Sequence, residues 1–265
     1  MDVGFWDSIP IALVFAGIVL FTVFTFELGY QIGNYARAHS EKHSDTSPGP
    51  MVAGVLTMLA FILALTFNMA ASRFDSRKQF VIEEVNAIGT TYLRADLLAE
   101  PQKSELKDLL RQYVDIRVEV SQNDNIDDAI RRSAGLQQSI WTLAVSVAKE
   151  EPVVLNSLLL QSLNEMIDLQ EKRVNAAIRN RIPGSIWVTL AAIIALSMVT
   201  MGSQTGLVRT RRLMQVIPAV LAFSALLTVV VDLDRPSAVG FIHVSQQAMM
   251  DLQQSLQQAA QSLSR

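Results

Sequence analysis

The chain has 265 residues, of which 50% are apolar and 18% charged, with a net charge of -3 and no cysteine. That balance is too apolar for an ordinary soluble domain of this length. It excludes disulfides and thiolate metal sites, and no basic block offers a nucleic-acid footprint.

The apolar residues come in blocks. Uncharged stretches cover Ser8 to Phe26, Met51 to Ser72, Ile182 to Val208 and Leu213 to Val231, each near or above the roughly 18 residues that a membrane helix needs. Four spans are expected. The opening MDVGFWDSIP has two acids and no Lys or Arg, unlike the basic first region of a cleaved signal, so the first span is expected to stay in the protein. The turn-rich linker Asn34 to Pro50, with ARAHSEKHSDTSPGP, makes spans one and two an antiparallel pair. GSQTGLVRTRR plays the same part between spans three and four.

Span two is unusual. Thr57, Phe61, Ala64, Asn68, Ser72 and Asp75 fall on one helical stripe, whereas Ala60, Leu63, Phe67, Ala71 and Phe74 form a neighbouring apolar one. A polar stripe in lipid must face protein or water, which points to a pore lining or a polar seam between helices. No Gly or Pro occurs from Val55 to Ile88, so one helix is expected from about Val52 to about Leu98.

The middle region, residues 73 to 181, is polar but periodic. Pro101 suits the first turn of a helix whose face is Leu106, Leu109, Leu110, Tyr113 and Val114. The turn SQNDNIDD precedes a helix carrying Ile126, Ile130, Leu136, Ile140, Leu143 and Val147, and Pro152 starts another with Leu155, Leu159, Leu163, Met166 and Val174. After span four, VDLDRPSAVG reads as a turn. An amphipathic tail follows, with Ile242, Met249, Leu256 and Leu263 seven residues apart and Leu252 and Ala259 between them. Its partner is either the middle region of the same chain or a neighbouring subunit.

The fold class is therefore all-α: a polytopic membrane protein with spans in residues 1–72 and 182–231, a helical extramembrane domain over 73–181, and a C-terminal helix in 232–265. Arg73, Arg77, Lys78, Lys172, Arg173, Arg179, Arg181 and Arg235 outnumber Arg37, Lys42, Arg209, Arg211 and Arg212 on the opposite side. This places the middle domain and both termini in the cytoplasm.

RFDSRKQFVIEEVNAIGTTYLRADLL, PQKSELKDLLRQYVDIR and DLDRPSAVGFIHVSQQAMMDL together resemble the bestrophin-like family of bacterial membrane proteins, over about Val52 to Leu252. More distantly, Asp75-Ser76-Arg77-Lys78 is similar to the pattern where the second helix of bestrophin channels leaves the membrane. That resemblance implies a homo-oligomer, a pentamer in bestrophins, in the bacterial inner membrane with small permeant ions. It also puts Phe61 at a pore constriction, with Thr57 and Ala53 one and two turns away. Bestrophins have bulky apolar residues at that neck, whereas Thr57 and Ala53 are small.

Two readings of the stripe follow. Thr57, Phe61, Asn68, Ser72 and Asp75 would line a pore once per subunit, the oxygens replacing part of an ion's hydration shell. Alternatively they form an interhelical seam in a non-conducting scaffold that recruits a partner through its helical domain and tail. Arg73, Asp75, Arg77, Glu83, Glu84, Asn86, Thr90 and Arg94 are candidates for a vestibule, or for a solvated face with ion pairs such as Arg77 with Glu84. Gly89 is expected to admit a close helix. Asp232 and Asp234 are two carboxylates of an incomplete calcium site, or caps of a turn with Arg235 pairing nearby. Glu27 is expected at the membrane interface, and His39, His43 and His243 make a weak metal set. No nucleophile with a base, phosphate loop or zinc signature is present, and no enzyme or cofactor is expected.

Overall fold

The computed structural model describes residues 9–39, 49–119, 126–150, 154–208, 213–235 and 240–263. Among them there is no strand. The helices are α1 (Ile11–His39), α2 (Gly49–Arg94), α3 (Gln102–Glu119), α4 (Ile126–Glu150), α5 (Val154–Val174), α6 (Gly184–Val208), α7 (Leu213–Asp234) and α8 (Gln247–Leu263). A 3-10 turn, Ala95–Leu97, closes α2, and a π turn, Asn175–Arg179, follows α5. Helices α1, α2, α6 and α7 are long and apolar enough to cross a membrane, so the chain is a multi-pass membrane protein.

The chain divides into two compact units, residues 1–74 with 180–243 and residues 75–179 with 244–265. In the first, α1 and α6 pack through four glycines. Gly29 and Gly33 lie against the backbone of Val199 and Ser203, and Gly202 and Gly206 against that of Phe26 and Tyr30. Small residues at such spacing let two helices approach to backbone contact, which is the main source of attraction where lipid removes the hydrophobic driving force. This contact continues both helices into segments expected to be linkers. Asn34 to His39 are helical in α1, and Gly202 to Val208 in α6, although both segments read as linker. Phe26, Leu59, Leu63, Leu190, Ile194, Met198 and Val220 fill the core. A smaller cluster of Ala70, Ile182, Val230 and Leu233 packs with Phe74 and Ile242.

The second unit is built from the lower part of α2 with α3, α4, α5 and α8. Its core holds Ile88, Leu106, Leu110, Tyr113, Leu159, Leu163 and Met166. Glu105 N donates to Pro101 O at 3.1 Å, so Pro101 does sit at the start of α3, where its missing N–H costs nothing. The tail finds its partner in the same chain: Met249 and Leu256 of α8 are buried in this core, with Leu252 and Ala259 beside them, and Gln253 donates to Asp115 at 2.7 Å. Ile242, the first residue of the expected heptad row, instead joins the cluster of Ala70 and Val230. Gly89 admits no close helix, since a Cβ there would meet only Leu252 Cδ1 at 3.8 Å, an ordinary contact. His43, Lys42, Arg209, Arg211, Arg212, Pro152 and most of the SQNDNIDD turn lie outside the described residues.

Candidate functional site: the two faces of helix α2

Helix α2 runs unbroken from Gly49 to Arg94. Its sequence explains this, for Ala, Leu, Met, Phe, Arg, Lys, Gln and Glu dominate and no residue between Val55 and Ile88 breaks the hydrogen-bond ladder. Within the first unit, Leu59, Leu63, Thr66 and Ala70 are buried. This row is rotated by one residue from the expected apolar stripe. Leu63 belongs to both, but Ala60 is exposed and Phe67 is 37% exposed. Thr66 tolerates burial because its hydroxyl donates to Ile62 O at 2.8 Å.

On the other side of the helix Thr57, Phe61, Ala64, Asn68 and Ser72 are all exposed, Phe61 by 62%. The Thr57 hydroxyl donates to Ala53 O at 2.8 Å, satisfying its proton while leaving oxygen lone pairs outward. The row is therefore not buried by the rest of the chain. Arg73 is turned from it, its guanidinium lying 3.8 Å from Asp234 on α7.

In the second unit the exposed row continues as Asp75, Gln79, Ile82 and Asn86, and Gln79 donates to Glu83 at 2.9 Å. Arg77, Val81, Glu84 and Ile88 are buried. Of the vestibule candidates, then, Asn86 is exposed, Glu83 half-buried and Arg77 buried.

Glu84 is the best-connected side chain of α2. Its Oε1 accepts from Tyr113 Oη on α3 at 2.9 Å and lies 2.9 Å from Arg117 Nε. Its Oε2 accepts from Arg117 Nη2 at 3.3 Å and from Arg173 Nη1 of α5 at 2.5 Å. Arg173 also donates to Gln246, just ahead of α8. Burial disfavours the charge on Glu84, but Arg117 and Arg173, with hydrogen bonds from Arg173 and Tyr113, outweigh it and hold the carboxyl below its usual range. Burial and the adjoining Glu84 charge push the Tyr113 phenol well up, so it stays a donor. Here Glu84 departs from the vestibule expectation, and its ion pairs run to other helices. One sign was available in the sequence: Glu84 shares a helical row with Val81 and Ile88, and a carboxylate on an apolar row needs cations from its neighbours.

Asp232 and Asp234 act as caps. Asp232, itself buried, accepts from the backbone N–H of Phe241 and Ile242 at 3.0 Å each. Asp234 accepts from Ile182 N at 3.0 Å, and Arg235 donates to Ile9 O at 2.7 Å. Among the described residues no three His, Asp or Glu come together as a metal set.

The four apolar helices define a multi-pass membrane protein, and the second of them bears an exposed row with Thr57, Asn68 and Ser72. The chain belongs to the bestrophin-like family, whose domain description matches residues 16–249. Its fold is similar to crystal structures of a bacterial bestrophin homologue from Klebsiella pneumoniae, each of a single-residue variant. One has a TM-score of 0.64 at 14% identity, covering 94% of this chain and 98% of the other. Another gives 0.64 at 13% over the same shares. A further variant structure, described as that of a membrane protein, gives 0.63 at 13%, covering 93% and 97%. No curated protein matches the chain.

Proposed function

We propose that the protein is a homo-oligomeric ion channel of bestrophin type, with α2 of each subunit around the axis. One observation supports this reading: a span packed along Leu59, Leu63, Thr66 and Ala70 leaves Thr57, Phe61, Asn68 and Ser72 exposed along another row, and the Asn68 amide has donors and an acceptor that lipid cannot satisfy. Copies of the same chain, or water between them, supply what lipid lacks. Phe61 is the constriction, an aromatic ring that closes the path by dewetting. Family membership and the fold shared with bestrophin homologues support a pentamer in the bacterial inner membrane, and the Arg and Lys distribution supports a cytoplasmic second unit.

Planar-bilayer recording of the purified oligomer tests the reading. Steps of current that grow in Phe61→Ala and shrink in Asn68→Leu, with assembly intact, are expected. Silent bilayers across salts, voltages and pH would sink it. Loss of the oligomer in both variants without any current would make the row an interhelical seam.

A further inference from the structure

The bonds made by Glu84 give the second unit something the exposed row of α2 lacks, a fixed point. Its carboxylate accepts four hydrogen-bond or ion-pair contacts from Tyr113, Arg117 and Arg173, about as many as its lone pairs allow. These donors come from α3 and α5, so a single side chain of α2 is gripped by two other helices, and Arg173 extends the grip to Gln246. Rotation matters here. At about 100° per residue, Asp75, Ile82 and Asn86 stand within roughly 20° of the side opposite Glu84. All three are exposed, whereas Glu84 is fully buried. Turning α2 by one residue would bring Glu83 or Val85 to the arginines and carry Asn86 off the exposed side.

We infer that Glu84 is a positioning residue: its clasp by Arg117, Arg173 and Tyr113 sets the rotation of α2 that presents Asp75, Ile82 and Asn86 to the ion path. The inference rests on the proposed pore. Glu84 never touches the ion, and it acts through the row behind which it is locked. Apolar packing by Val81 and Ile88 holds α2 against its neighbours but tolerates small turns, whereas paired charges with defined donors do not.

The absence of cysteine makes the test direct. Single cysteines are placed in the full chain by Gln79→Cys and Asn86→Cys on the exposed row, and by Val81→Cys and Val85→Cys off it. Each is reacted with a charged, water-soluble methanethiosulfonate in the assembled oligomer. The exposed pair reacts at least about tenfold faster than the other pair, of which Val81 is buried and reacts only through local opening and Val85 is half-buried. Adding Glu84→Gln levels or inverts that ratio while melting and size profiles still show a folded oligomer, and Glu84→Asp keeps the original ratio. General loosening would instead raise all four rates together. An unchanged ratio in folded Glu84→Gln overturns the inference. If Glu84→Gln does not assemble, Arg173→Lys, which keeps the charge but cannot fork between Glu84 and Gln246, decides by the same criterion. Failure of the pore reading shows elsewhere: an exposed row closed to reagent without Glu84→Gln, or labelled with no change in current, removes the path and not the clasp.

Discussion

Gly202 lies so near Phe26 that a Cβ built on it would stand 2.1 Å from the Phe26 carbonyl oxygen. The obstacle is backbone, not a flexible side chain, so it can yield only if α1 and α6 separate. Gly202→Ala is expected to lower the stability of the first unit by about 1–3 kcal/mol, the range for overpacking. Gly17→Ala, whose Cβ would meet nothing within 4 Å, gains up to about 1 kcal/mol from helix propensity. Thermal melts of the two variants in the same detergent make the comparison.

Tyr113→Phe removes one hydroxyl from Glu84 without altering packing volume much. A hydrogen bond to a buried charge is at stake, so the second unit should lose about 1.5–3 kcal/mol. Denaturant melts followed by helical signal measure it.

Acid should act on the same cluster. The folded pKa of Glu84 is depressed, so its contribution is fully present above the unfolded value of about 4.3 and is lost as pH falls through the folded value. Stability measured from pH 7 downward is expected to hold until about pH 4.3 and then fall. A Glu84→Gln chain that folds would lack this part of the decline.

Asp232 and Gly240 are coupled by contact, since a Cβ on Gly240 would lie 1.7 Å from Asp232 Oδ1. Gly240→Ala should therefore displace the carboxylate from Phe241 and Ile242 and cost about 1–3 kcal/mol, the penalty for leaving the buried Asp232 carboxylate without these donors. In an Asp232→Ala background the same change should cost less. A double-mutant cycle in melting free energy gives the difference directly, and additivity would show that the two residues do not meet.

Asp75 stands exposed at the first position of the second unit. If α2 lines the path, Asp75→Asn removes one carboxylate per subunit and shifts the reversal potential in a salt gradient toward that of the anion. Recording with a tenfold gradient of potassium chloride measures the shift, and an unmoved potential would take Asp75 off the path.

How much of this was legible depends on how local each signal is. The four spans and the unbroken α2 follow from lengths of uncharged chain and from missing Gly and Pro, which any reader of one sequence can see. The end of α1 does not, because ARAH looks like a loop until Gly29 and Gly33 meet α6. The buried row of α2 was displaced by one residue because Thr66 satisfies its hydroxyl on its own helix and hides its polarity from the pattern. The partners of Glu84 lie 29, 33 and 89 positions away, and no periodicity within α2 names them. Whether the exposed row from Thr57 to Ser72 meets water or a neighbouring copy is a property of several chains together.

The placement of α8 bears on how the protein is made. Met249 and Leu256 complete a core whose other residues, Ala87 to Leu169, are synthesised before α6 and α7. The second unit must therefore wait, its apolar seam open, while two more spans are threaded into the membrane. During that interval the side of α3 that α8 packs against is uncovered, and a nascent chain in this state is a substrate for chaperones and a hazard for aggregation. The order of synthesis thus sets the order of events: insertion of α6 and α7 first, closure of the core of the second unit by α8 afterwards.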